Sequence, residues 1–167
     1  MGGWFPATGS VASSSPSCEY ERLSRRVGDI AVIARYCAAY LGSAFVMAGL
    51  DAVWLSLTNA RLYRPALAMV LAPGFRLAPA IAFYLIYLTG VMIFAVRPAV
   101  QAVRWSTAMV LGAMCGLLAY ATYDLTNQAT LAVWSIRISL IDMAWGTVLT
   151  GAAATAGYLA STLVRTA

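Results

Sequence analysis

The stretch Ala119-Tyr120-Ala121-Thr122-Tyr123-Asp124-Leu125-Thr126-Asn127-Gln128 begins as the end of an apolar run long enough to cross a bilayer and turns polar before it finishes. The run starts near Trp105, and its only acid is Asp124. Two other long apolar runs also carry a single aspartate each, Asp51 and Asp142. A carboxylate near the centre of a spanning helix costs about 2.5 to 3.5 kcal/mol on insertion scales, an amount the surrounding leucines and valines offset. The reading is therefore a set of spanning helices, several with an acid placed off-centre.

Composition supports the same class. The 167 residues are 62% hydrophobic and 10% charged, with a mean hydropathy of +0.78, too apolar for a water-soluble domain of this length. All eleven basic residues are arginines, and they cluster at the ends of the apolar runs. That placement suits topology signals and headgroup contacts, and no nucleic-acid partner is expected. Histidine is absent, which excludes haem ligation by His, His-based zinc sites and a Ser-His-Asp triad. Cys18, Cys37 and Cys115 are odd in number and scattered, and read as small apolar residues. Neither a metal nor another cofactor is expected.

Residues 1–29 lack apolar periodicity and read as a disordered, polar leader that ends in a short polar collar able to form helix. The pattern is not that of a secretory signal, because the first apolar run begins too late. Residues 30–167 form an all-α, polytopic transmembrane domain of four helices, with spans expected at Tyr36 to Leu57, Ala78 to Val96, Trp105 to Leu125 and Ile138 to Leu163. Between the first two, Leu62, Ala66, Met69 and Val70 recur at helical spacing while Arg61, Tyr63, Arg64 and Arg76 stay polar. A short interfacial helix broken at Pro73-Gly74 is expected there, with an ordinary loop as the alternative. Seven arginines (22, 25, 26, 35, 97, 104 and 165) fall on the side of the two termini and four (61, 64, 76 and 137) on the other. The positive-inside rule then places both termini in the cytoplasm.

Helical spacing aligns Gly112, Gly116, Tyr120, Tyr123, Asp124 and Asn127 on one face of the third helix. The matching row on the fourth helix is Asp142, Gly146, Thr150, Ala153 and Gly157, and on the first Ala44, Ala48, Asp51 and Ala52. Each row of small residues, suited to close helix contact, thus runs into an aspartate. Asp51 and Asp142 are expected roughly 6 to 9 Å inside their helix ends at 1.5 Å per residue, with Asp124 nearly at the rim. These three are the candidate acid, base or ion-coordinating groups. Arg137, Tyr84, Tyr87, Tyr120, Tyr123, Asn127, Gln128, Trp54 and Trp145 are the candidate substrate-binding groups around them. The alternative is structural: ion pairs and hydrogen bonds that fix helix register, with Trp54, Trp134 and Trp145 as interfacial anchors. Asp-x-x-Trp occurs at both Asp51 to Trp54 and Asp142 to Trp145, but the surrounding segments do not match, so the recurrence reads as chance.

The segments Leu50-Asp51-Ala52-Val53-Trp54-Leu55, Phe83 to Gly90, Tyr120 to Leu131 and Asp142 to Thr147 resemble a family of small bacterial membrane proteins, domain of unknown function 2177. The likeness runs from about Tyr36 to Tyr158 and implies a four-helix, multi-pass protein of the bacterial inner membrane, with no catalytic residues to carry over. Three function classes stay open, and whether the chain is an enzyme stays open with them. The first is a polar pocket in the outer leaflet, built on the three acids, that binds or processes a membrane lipid or small amphiphile. The second is a small proton- or cation-coupled transporter. The third is a non-catalytic subunit or assembly factor, with a homo-oligomer or membrane partner held through the small-residue helix faces.

Overall fold

A computed structural model describes residues 16–59, Tyr63, Gly74 and residues 76–164, apart from the side chains of residues 16–18 and 23. It is all-helical, with no strand among those residues and four helices long and apolar enough to cross a membrane. They are α1 (Pro16–Thr58), α2 (Leu77–Ala102), α3 (Trp105–Thr130) and α4 (Ile136–Leu163). The bundle has a terminal end, where α1 enters and α4 finishes, and a polar end, where α1 leads to α2 and α3 to α4.

All four helices start before their expected spans or end after them. Hydropathy marks the part of a helix that suits lipid, whereas backbone hydrogen bonding carries on through flanking polar turns. α1 runs unbroken for 43 residues across the expected leader boundary at residue 29, and its polar first half holds the one ion pair among the described residues, Glu21 to Arg25 at 3.9 Å. Residues 1–15 lie outside the described residues. So does most of the expected interfacial helix, of which Asn59, Tyr63, Gly74 and Arg76 are seen. α3 continues five residues past Leu125, which puts Asp124 six residues inside Thr130, roughly 9 Å from the helix end rather than at its rim.

The irregular turn of α2 follows from Pro98. A proline inside a helix lacks the N–H for its own turn and crowds the carbonyl four residues earlier, here that of Phe94. The backbone widens to π-helical geometry over Met92–Val96, and the Arg97 N–H reaches back five residues to the Met92 carbonyl. The chain then turns into α3 through Val103 and Arg104. Val103 sits in the left-handed region at φ 50°, and the Arg104 N–H closes the helix end on the Ala99 carbonyl at 3.1 Å.

Small residues set the packing. A methyl added at Gly112 would lie 2.6 Å from Ala154 Cβ and 2.8 Å from the Thr150 carbonyl oxygen, and one at Gly42 would lie 2.8 Å from Ala160 Cβ. α3 and α1 therefore approach α4 from either side almost backbone to backbone. The Gly-x-x-x-Gly row of α3 is used inside the bundle, so a partner contact through that row would compete with this packing. The apolar core, including Ala39, Met47, Val91, Ala95, Val96, Ala99, Ala108, Leu149, Ala153 and Ala154, joins α2 to the other three helices around its π turn. Toward the polar end α2 stands apart, and no residue from Leu77 to Tyr87 is buried.

Candidate functional site

α1 and α4 lie antiparallel, and this gives the two Asp-x-x-Trp segments a common geometry. On each helix the aspartate and the tryptophan three residues later share a face. Because the helices run in opposite directions, the aspartate of one stands level with the tryptophan of the other. The two indoles meet in the middle, stacked at 4.4 Å between ring centroids and 7° between planes. Trp145 donates its indole N–H to Asp51 Oδ1 at 3.2 Å, and Tyr84 of α2 donates its hydroxyl to Asp51 Oδ2 at 2.6 Å. On the other side Trp54 donates to the Tyr63 hydroxyl at 3.0 Å, and Tyr63 donates in turn to Asp142 Oδ1. The recurrence that reads as chance in one dimension is a local two-fold in three.

Tyr63 is the residue the sequence reading left out of the site. Its signal was present, since it lies on the polar side of the expected interfacial segment, but nothing in one sequence ties that segment to α4. Burial first, and then the hydrogen bond to Asp142, hold its hydroxyl above the ordinary phenol value of 10.0, so it stays a donor to the carboxylate.

Deeper toward the terminal end, Tyr87 of α2 shares a hydrogen bond of 2.7 Å with Thr150 of α4. The Tyr120 ring lies over Gly146, whose missing side chain makes room for it. Asp124 of α3 is wholly buried, and among the described residues neither of its oxygens has a hydrogen-bond partner. Asp142 is near enough for the two carboxylates to repel when both are charged, and Trp134 stands beside Asp124 while giving its N–H to Ser139 Oγ at 3.1 Å.

Asp51 and Asp142 are thus served by tyrosine and tryptophan donors, and none of the three acids meets an arginine among the described residues. Arg137 and Arg76 are exposed, and the one described ion pair lies far off in the first half of α1. Asn127 and Gln128 are half-buried, and Asn127 lies beside the Tyr123 hydroxyl, one turn earlier on the same helix. Tyr123 is 60% exposed and meets Trp134 edge to face at 5.6 Å. A cavity of about 300 Å³ lined by Phe83, Ala119, Tyr120 and Tyr123 opens where the polar end of α2 stands off from α3. No group of three or more acidic, cysteine or histidine side chains able to hold a metal occurs among the described residues.

The profile of a family described as "Predicted membrane protein (DUF2177)" matches residues 36–159, which covers most of the chain. The chain belongs to that family. No curated protein and no solved structure matches it. The segment shared with the DUF2177 family contains all the residues of the site, from Asp51 to Thr150, and excludes the polar first half of α1.

Proposed function

We infer that this DUF2177 protein binds the polar head of a membrane lipid or small amphiphile at the polar end of the bundle, in the leaflet away from the cytoplasm. One observation carries the reading. Asp51 and Asp142 are held in fixed positions by Tyr84, Trp145 and Tyr63, all of them neutral donors, so their charge is oriented but not cancelled by any described cation. Uncompensated carboxylates inside a membrane are costly, and a head group bearing an ammonium or several hydroxyls would supply the missing partners. The stacked indoles and Tyr120 offer aromatic faces for a cation, and the opening beside Phe83 and Tyr123 gives a path from the bilayer. The excess of arginines at the terminal end supports a bacterial inner membrane with both termini in the cytoplasm.

Asp51→Asn and Asp142→Asn variants test this. Each keeps the side-chain shape and removes the charge. Whole-cell lipid profiles of the two variants and of a deletion strain should differ from wild type in the same lipid class. Unchanged profiles in all three would remove the lipid reading.

A second reading, proton- or cation-coupled transport, is favoured by Asp124, a buried acid of the kind that takes up and releases protons. Against it, the core from Tyr87 and Thr150 to the terminal end is built chiefly of alanine, valine, leucine and methionine, with the hydroxyls of Ser43, Tyr158 and Ser161 its buried polar side-chain groups and no carboxylate among them. Proton flux into vesicles containing the protein, abolished in Asp124→Asn, would favour transport over binding.

A further inference from the structure

The terminal half of the bundle carries a second feature, independent of the acids. Between α1 and α2 an open groove of about 800 Å³ is lined by Val32, Ile33, Cys37, Met92 and Ile93, with Arg97 and Gln101 at one end and Tyr40 and Thr89 at the other. Tyr40 closes its deep end by reaching across to the Leu85 carbonyl at 3.4 Å. Three properties identify an occupant. From Gln101 to Thr89 the groove spans twelve residues of α2, roughly 18 Å at 1.5 Å per residue, close to the ~15 Å depth of one leaflet's hydrocarbon. Its wall is largely apolar along that length, with Tyr36 the tyrosine between its two ends, and is cationic at the mouth, at Arg97. Arg97 there has no ion-pair partner among the described residues, and Arg35, on the neighbouring part of α1, has a buried Nε with no hydrogen-bond partner.

We propose that this groove holds one acyl chain of an anionic glycerophospholipid from the leaflet at the terminal end, with the lipid phosphate on Arg97 and Gln101. The apolar wall selects a chain, its length selects one that stops near mid-bilayer, and the arginine selects a negative head over a neutral one. The lipid chain fills the groove that the side chains leave open.

Native mass spectrometry of the full chain tests the proposal, after detergent exchange and titration with phosphatidylglycerol or phosphatidylcholine of identical chains. Wild type should retain one phosphatidylglycerol in preference to phosphatidylcholine. Arg97→Gln should lower that preference about fivefold, one basic residue's share of attraction to anionic lipid. Ile93→Trp, which places a ring in the groove from an exposed position, should lower retention of both lipids while leaving helicity by circular dichroism unchanged. Equal retention of the two lipids by wild type, or an Arg97→Gln variant with the wild-type preference, would overturn the proposal. So would an Ile93→Trp variant that binds lipid as wild type does, or a groove filled by a second copy of the chain, seen as a dimer. None of these outcomes bears on the acid site, whose test uses different variants.

Discussion

Gly116→Ala is the most demanding test of how α3 is seated on α4. The added methyl would point at the Gly146 backbone, 2.8 Å from its carbonyl carbon, and would lie 2.7 Å from Thr150 Oγ1, where ordinary contact begins near 3.4 Å. Thr150 can turn, but the Gly146 backbone cannot move without its helix. The helices must therefore part by at least about 0.6 Å, and a gap of that size forfeits a quarter to a half of each contact along the seam. Overpacking of this kind costs roughly 1 to 3 kcal/mol, and a backbone wall places Gly116→Ala at about 3 kcal/mol. Gly49→Ala and Gly90→Ala are the controls, because a methyl at either position meets nothing within 4 Å. They should be neutral or gain up to ~1 kcal/mol from helix propensity. The assay is reversible unfolding in mixed detergent micelles, followed by circular dichroism. A Gly116→Ala protein as stable as wild type, or a Gly49→Ala protein that loses as much, would refute the seating of α3 described above.

Trp145→Phe keeps a ring in the indole stack but removes the N–H that serves Asp51, and should cost about 1.5 to 3 kcal/mol in the same assay, as expected for a hydrogen bond to a charged group. A double-mutant cycle of Trp54→Leu with Trp145→Leu should show coupling of roughly 0.5 to 1.5 kcal/mol from the stacked pair, whereas additive losses would mean that the rings do not meet. Val103→Gly should stabilise the protein by about 1 kcal/mol, because a β-branched residue at φ 50° bears a steric cost that glycine does not. Tyr63 has a hydroxyl pKa raised in the folded protein, so its contribution is complete below pH 10.0 and declines above it as the unfolded chain ionises first. Wild type should accordingly lose stability relative to Tyr63→Phe between pH 10 and 11, and a constant difference across that window would count against the burial of the Tyr63 hydroxyl and, with it, the bond to Asp142.

The four spans were legible because length and hydropathy together leave little choice for a chain of this composition. The seating of α3 was legible too, since the row of Gly112 and Gly116 needs a neighbour that comes close. The donors to Asp51 and Asp142 were not legible. Arginine is the commonest partner for an aspartate, and Arg137 lies only five residues from Asp142, yet it is exposed, and among the described residues Asp51 and Asp142 take hydroxyl and indole donors from distant parts of the chain. A hydrogen bond between residues 94 positions apart leaves no mark in local periodicity. The doubled Asp-x-x-Trp was dismissed for a related reason. Duplicated segments are sought as parallel copies with matching flanks, whereas two short segments on antiparallel helices need nothing in common beyond the residues that meet.

The two ends of α2 are held in different ways, and Pro98 near the terminal end sets the first of them. Pro98 forces the π turn at Met92–Val96, and each extra residue in a turn rotates the helix beyond it by about 100°. The turn itself is well packed, with Met92, Ala95 and Val96 buried, so the rotated part of α2 cannot follow by sliding. Toward the polar end none of its residues from Leu77 to Tyr87 is buried, and two tyrosines tie it to the bundle: Tyr84 reaches Asp51 and Tyr87 reaches Thr150, each across a helix boundary. A shorter polar side chain at position 84 would leave Asp51 with Trp145 as its one described donor, and one at position 87 would leave the Thr150 hydroxyl without its described partner on α2. A proline seven residues beyond Val91 and two tyrosines on the same helix thus divide α2 between a buried π turn and a polar end tied to α1 and α4 by hydroxyl groups.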